Sequence, residues 1–257
     1  MSLTQPEPVA GPAPELPLDP AGPLPAEPVR PVAPPSPRQS APGSHRPPAG
    51  TEAGGRQLSL FGAEAAEPAV ADLAGLLAGP GEVVRMGGTA RLAIVLDDAW
   101  RVHVLVAELA RRGISATWEP VGGQYAVRTS YASTLAPLAV AWLRGGVQRP
   151  PAGFHLNGRR LRLWLAAAGS ADPAGFRLGL GADEGGWAPV GAALAAVGLP
   201  GVLLDAAAGG PAYRITGRRR VARLAELVGD PPPTVPPTHW PTPPPGPPPT
   251  PVPAPER

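Results

Sequence analysis

The sequence predicts an α+β domain made of two copies of one α-β-β-α-β-β-α unit, set between two proline-rich arms. Three observations lead there. Of 41 prolines, 16 fall in residues 1–50 and 15 in residues 231–257, which leaves the folding material between them. In that middle, apolar residues repeat with helical and then strand period, in the same order twice. Landmarks also recur in step: Gly81 with Gly169, Trp100 with Trp187, Gly113 with Gly198, and Tyr125 with Tyr213.

Residues 1–55 are mostly proline, alanine and small polar residues. They bury too little apolar surface to offset the entropy of ordering, so a disordered arm is expected. Residues 231–257 are expected to form a disordered tail. Its run "PTPPPGPPPTPVP" favours polyproline II and suits a partner that reads proline motifs.

The first copy occupies residues 66–146. An apolar helical run, "LAGLLAGPG", ends in glycine. Two strands follow, "EVVRMGG" and "TARLAIVLD", turned at Gly87-Gly88. "AWRVHVLVAELARRGI" reads as an amphipathic helix with Trp100, Val104, Ala107 and Leu109 near one face and Gly113 as its stop. Asp97-Asp98 sits where an N-cap belongs. The strands "SATWEPVG" and "GQYAVRTS" and a helix from Tyr131 to Leu143 complete it. The second copy, residues 150–230, repeats the order with "LRLWLAAAG", "GFRLGLG", "GWAPVGAALAAVGL", "GVLLD", "PAYRITG" and "RRVARLAELVG". Pro189 is compatible with its helix in the first turn.

Composition removes several functions. There is no cysteine, so disulfides, thiolate metal sites and cysteine nucleophiles are excluded. His45, His103, His155 and His239 are scattered, and Ser133, Asp205 and His155 share no triad motif. "GLGADEGG" lacks the Lys-Ser/Thr of a phosphate loop. No cofactor is indicated. No apolar run reaches spanning length and the N-terminus lacks a secretory pattern, so a cytoplasmic protein with no membrane contact is expected, nucleoid-associated if it binds DNA as the resemblance below implies. The net charge is +2, and every basic side chain is arginine. Residues 66–230 hold 17 arginines against 13 acids. This balance is compatible with nucleic acid. A lysine-free chain rich in Ala, Gly and Pro also fits a GC-rich genome, so the arginines read equally as solvated surface.

"LAGLLAGPG", Leu73–Gly81, resembles the signature of the LAGLIDADG homing endonucleases: Leu73, Ala74, Gly75, Leu76 and Gly81 match, and Leu77 replaces isoleucine. Leu161–Gly169 keeps only the apolar frame. The resemblance implies two signature helices side by side at a pseudo-twofold axis. It also implies two four-stranded sheets forming a saddle over double-stranded DNA, and carboxylates at the helix feet holding divalent metal for phosphodiester attack. Here the metal-binding acid is replaced by Pro80 and Ala168, and the other signature aspartate by Ala78 and Ala166. Glu82 and Asp172 lie nearby but out of register. A scaffold that does not cut is expected, with no metal site. Strand alternation assigns Arg85, Arg91, Thr117, Glu119, Gln124, Arg128, Arg177, Arg214 and Thr216 to a polar face. Leu92, Ile94, Leu96, Tyr125, Val127, Leu178, Leu180, Tyr213 and Ile215 fall on the core face. Arg218, Arg219 and Arg220 open the last helix as phosphate-contact candidates. The expected DNA-binding set is Arg85, Arg91, Gln124, Arg128, Arg177, Arg214 and Arg218–Arg220.

Between arm and domain, residues 56–62 read "RQLSLFG". Gln57, Leu58, Ser59, Leu60 and Phe61 resemble, at all five positions, the pentapeptide by which bacterial polymerases and repair factors dock on the DNA sliding clamp. Such a segment could instead begin the domain's first element. Together these features point to a non-catalytic DNA-binding accessory protein of replication or repair, docked on the clamp. Three alternatives stand beside it: an active endonuclease using displaced acids, a transcription regulator related to the actinobacterial sporulation regulators, and a protein-interaction scaffold.

Overall fold

The structure, a computed structural model, describes residues 67–242. The expected arm of residues 1–55 and the segment Gln57–Phe61 lie outside the described residues.

The chain enters through a 3-10 turn, Val70–Leu73, into the short helix α1 (Ala74–Ala78). Pro80, between two glycines, cannot continue the helix. The Gly79 and Gly81 amides close on the Leu76 carbonyl. Strands β1 (Glu82–Met86) and β2 (Thr89–Leu96) form a hairpin, followed by α2 (Ala99–Ala110), β3 (Ala116–Val121), β4 (Gln124–Thr129) and α3 (Ala136–Trp142). A small hairpin, β5 (Leu143–Arg144) with β6 (Val147–Gln148), links the copies. The second copy runs α4 (Gly158–Ala168), β7 (Gly169–Asp172), β8 (Gly175–Gly179), α5 (Trp187–Ala196), β9 (Val202–Leu204), β10 (Ala212–Thr216) and α6 (Arg218–Val228). The sheets have matching antiparallel orders, β1-β2-β4-β3 and β7-β8-β10-β9. The predicted α+β duplication is what the chain adopts. The β5–β6 hairpin has no counterpart in the sequence reading, and β7 is too short and polar to show a period.

One core serves both copies. Leu73, Leu105, Leu135, Leu161, Trp164, Leu165, Leu178, Leu194 and Ile215 are buried in it. At its centre α1 packs on α4. This approach needs glycine at position 75, because a Cβ there would run into the backbone carbonyl of Arg160. The predicted core residues Leu92, Ile94, Leu96, Val127, Leu178, Leu180, Tyr213 and Ile215 are all buried, and Tyr125 is half-buried.

Two expectations are corrected. The buried stripe of α2 is Arg101, Val102, Val104, Leu105, Glu108 and Leu109, while Ala107 faces solvent. Two charged residues displaced an alanine because both find partners. Arg112 donates to Glu108 at 2.6 Å and to Asp72 at 3.2 Å, so the buried carboxylates are compensated. The tail expected from residue 231 is structured through Thr242. Val235 and Trp240 are buried, Trp240 Nε1 donates to the Gly229 carbonyl at 2.8 Å, and the Arg162 guanidinium lies over the Trp240 ring. One tryptophan and one valine among the prolines bury enough apolar surface to anchor this strap.

Candidate nucleic-acid interface

Each sheet buries one face against helices and leaves the other open. Hairpin register decides which side chains share a face. Val83 opposes Leu92 on the buried side, so Val84 opposes Arg91 on the open side and Arg85 opposes the buried Ala90. The two-residue turn at Gly87-Gly88 pairs Met86 with Thr89, and this register cannot place Arg85 and Arg91 together. Arg85 therefore leaves the predicted open-face set. Its Nε donates instead to the Gly87 carbonyl at 3.1 Å. Thr117 opposes Arg128, and Glu119 opposes Ala126, on the open side. Gln124 shares that face. In the second sheet Arg177 opposes Arg214 and Thr216 opposes Gly175, also on the open side.

The open-face cations are engaged within the fold. Arg128 pairs with Glu119 across β3 and β4. Gln124 Nε2 donates to Asp97 at 2.6 Å, and the Arg91 guanidinium lies 5.1 Å from the Tyr131 ring centroid. Arg214 and Arg177 converge on one oxygen of Asp172, at 3.1 and 3.5 Å. The Ala174 amide donates to the other oxygen at 2.9 Å. That amide is the main cause that holds the Asp172 carboxyl below the usual carboxylate range; burial opposes it, and the two guanidiniums add to the lowering. Arg218, Arg219 and Arg220 are exposed at the start of α6, just past Thr216. Cations at a helix N-terminus oppose the macrodipole, so helix stability does not account for them.

The feet of α1 and α4 are where the family resemblance implies metal-holding carboxylates. A cleft of about 450 Å³ opens there, lined by Gly79, Pro80, Gly81 and Glu82 from the first copy and by Gly181, Asp183 and Trp187 from the second. Pro80 and Ala168 offer no oxygen side chain. Asp172 is committed to its arginines, and Asp183 accepts from the Gly185 amide at 3.1 Å. Glu82 is exposed at the start of β1, opposite Ala93. Among the described residues no group of three or more histidine, aspartate or glutamate side chains converges here.

Two residues missed by the sequence reading complete the helix feet. Gln148 brackets the end of α1: its Oε1 accepts from the Val83 amide at 2.9 Å, and its Nε2 donates to the Gly81 carbonyl at 2.8 Å. Arg101, from α2, donates to the Ala166 carbonyl at 3.0 Å and the Gly169 carbonyl at 2.7 Å. A buried cation thus satisfies the carbonyl end of α4, where the macrodipole favours it. Burial pulls the Arg101 guanidinium below its ordinary value, with Asp98 opposing. Asp98 occupies the N-cap position of α2, but its carboxylate takes Arg101 Nε at 3.3 Å and no backbone amide. A charged residue inside an apolar helical stripe was the available signal for Arg101. Gln148 gave none.

No protein-family model and no curated protein matches the chain. Solved structures do. The homing endonuclease I-WcaI bound to its DNA recognition sequence is 12% identical, with 61% of this chain and 78% of that chain covered and a TM-score of 0.46. I-DmoI in complex with DNA and manganese is 16% identical, covering 62% and 96%, with a TM-score of 0.37. A structure of mesophilic I-DmoI variants is 15% identical, covering 62% and 93%, with a TM-score of 0.35. The fold assignment rests on element order and strand order, which this chain displays by itself.

Proposed function

We propose that this chain is a non-catalytic accessory protein that binds double-stranded DNA through the open faces of its two sheets and docks on the sliding clamp through Gln57–Phe61, acting in replication or repair. The observation that carries the DNA half is the placement of Arg91, Arg128, Arg177 and Arg214 on open faces, with exposed Arg218–Arg220 beyond the end of β10. Side chains alternating on such strands can reach phosphates and base edges. The intramolecular pairs must open for this, so moderate affinity with a shallow salt dependence follows. The absence of cleavage is supported by Pro80, Ala168 and the commitment of Asp172 to its arginines. Clamp docking is supported by the five matching residues alone.

A second reading is favoured by a different observation. Val84, Met86, Val95 and Val121 lie exposed on the open face of the first sheet. Aliphatic patches of this kind suit a protein partner.

Duplex binding by the full chain at two salt concentrations separates the readings. Binding that weakens as salt rises supports DNA contact, and no binding at low salt rejects it. Plasmid nicking in magnesium or manganese tests the chemistry: metal-dependent cleavage lost in Glu82→Gln overturns the non-cutting reading. Anisotropy of a labelled peptide of residues 50–70 with purified clamp tests docking, which Phe61→Ala must weaken.

A further inference from the structure

An apolar groove of about 490 Å³ opens where the chain enters the domain. Ala74, Leu138 and Trp142 form its buried floor, and Val70 and Phe154 stand in its walls. One polar group at its rim is unsatisfied. Arg160 NH1 donates to the His155 carbonyl at 2.5 Å and its guanidinium lies 5.9 Å from the Phe154 ring centroid, but its buried Nε has no hydrogen-bond partner. A buried donor left without an acceptor is costly. An occupant of this groove should therefore bring large apolar side chains and at least one carbonyl or hydroxyl oxygen.

The chain carries such a segment close by. Leu58, Leu60 and Phe61 are the large apolar residues nearest before the domain, with the Ser59 hydroxyl and backbone carbonyls among them. Phe61 lies nine residues before Val70, itself a groove residue. That span reaches at most about 30 Å, so the segment is held near the groove. A tether of this length gives a local concentration of order millimolar, which makes even weak docking effective.

We infer that Leu58–Phe61 docks into this groove in cis, and that the docked state withholds from the sliding clamp the residues that would bind it. The withholding half rests on the clamp reading above; the docking half does not. Two states of one segment then compete, and clamp binding requires release from the groove.

Methyl NMR on the full chain with labelled alanine and leucine tests docking. In the variant Leu58→Ala/Leu60→Ala/Phe61→Ala, the methyls of Ala74, Ala141 and Leu138 shift while that of Leu203, on β9, does not. A synthetic peptide of residues 54–66 added to this variant reverses the shifts. Groove methyls unchanged in both steps overturn cis docking. For the second half, Ala141→Trp fills the groove from an exposed wall position. The full-length variant should bind clamp about tenfold more tightly than the parent chain, since the competing cis state is removed. Equal affinity overturns withholding. A clamp that ignores the free peptide rejects the clamp reading, and withholding with it, while the methyl shifts alone decide docking.

Discussion

The two copies solve one problem, how to end a central helix that carries no acid at its foot, in different ways. In the first copy α1 is short, stopped by Pro80, and its end is bracketed by Gln148 from the linking hairpin. In the second, α4 runs from an Asn157 cap to a carbonyl end satisfied by Arg101, a residue of the first copy. The open faces differ as well. The first sheet sets exposed aliphatics beside a single Arg128–Glu119 pair, while the second gathers two arginines on Asp172. Duplication supplied the frame, and each copy then satisfied its polar groups with whatever side chain the other half or the linker brought within reach.

The largest effect should come from the matched positions where the helices cross. Gly75→Val places side-chain atoms against the Arg160 backbone, which cannot yield, and should cost about 3 kcal/mol or more in urea unfolding. Its counterpart Leu163→Ala should cost a similar amount, about 3 kcal/mol, by opening a cavity. A small effect of Gly75→Val would mean that the two copies do not share this close contact.

Next come the helix feet. Arg101→Met leaves Asp98 unpaired and the α4 carbonyls unsatisfied, and should destabilise by about 3 kcal/mol. Gln148→Ala should cost only about 1 kcal/mol, because two neutral hydrogen bonds are lost at a partly wet site. Equal losses would erase the distinction between the two solutions.

The open faces should respond in DNA affinity. Asp172→Asn frees two arginines and should tighten low-salt duplex binding by about tenfold, against a few-fold at most for Glu119→Gln. The same carboxylate has a pH signature. Its folded pKa is depressed, so its contribution is present above the unfolded value near about 4 and is lost as pH falls through the lower folded value. The stability difference between the parent chain and Asp172→Asn should therefore shrink steadily as thermal unfolding is measured at pH below about 4. The smallest effect is reserved for Arg85→Ala. It should change duplex affinity by less than about twofold, while Arg214→Ala weakens it several-fold.

Much of the fold was legible because its signals are local. Gly87-Gly88 and Gly122-Gly123 mark hairpins, Gly113 and Gly198 end helices with positive φ, and period-2 alternation separated Leu92, Ile94 and Val127 from Arg91 and Arg128. Alternation failed at Arg85, since a face follows from the register across a turn and not from residue type. The tail failed at Trp240, whose burial depends on Arg162 and Gly229 far from it in sequence or contributed by another helix. The strand arginines were found, but their partners were not, because Asp172 meets Arg214 only once β7, β8 and β10 are laid side by side.

By itself the sequence determined the duplication, the glycine-marked turns and the small residues of the first central helix. Each of these is written in residue type and spacing within one element. Tertiary structure decided which cations remain available, which buried charges are compensated and what closes the ends of the central helices. Arg101, Gln148 and Asp172 act on groups brought near them only by folding, and a hydrogen bond depends on distance in space rather than along the chain.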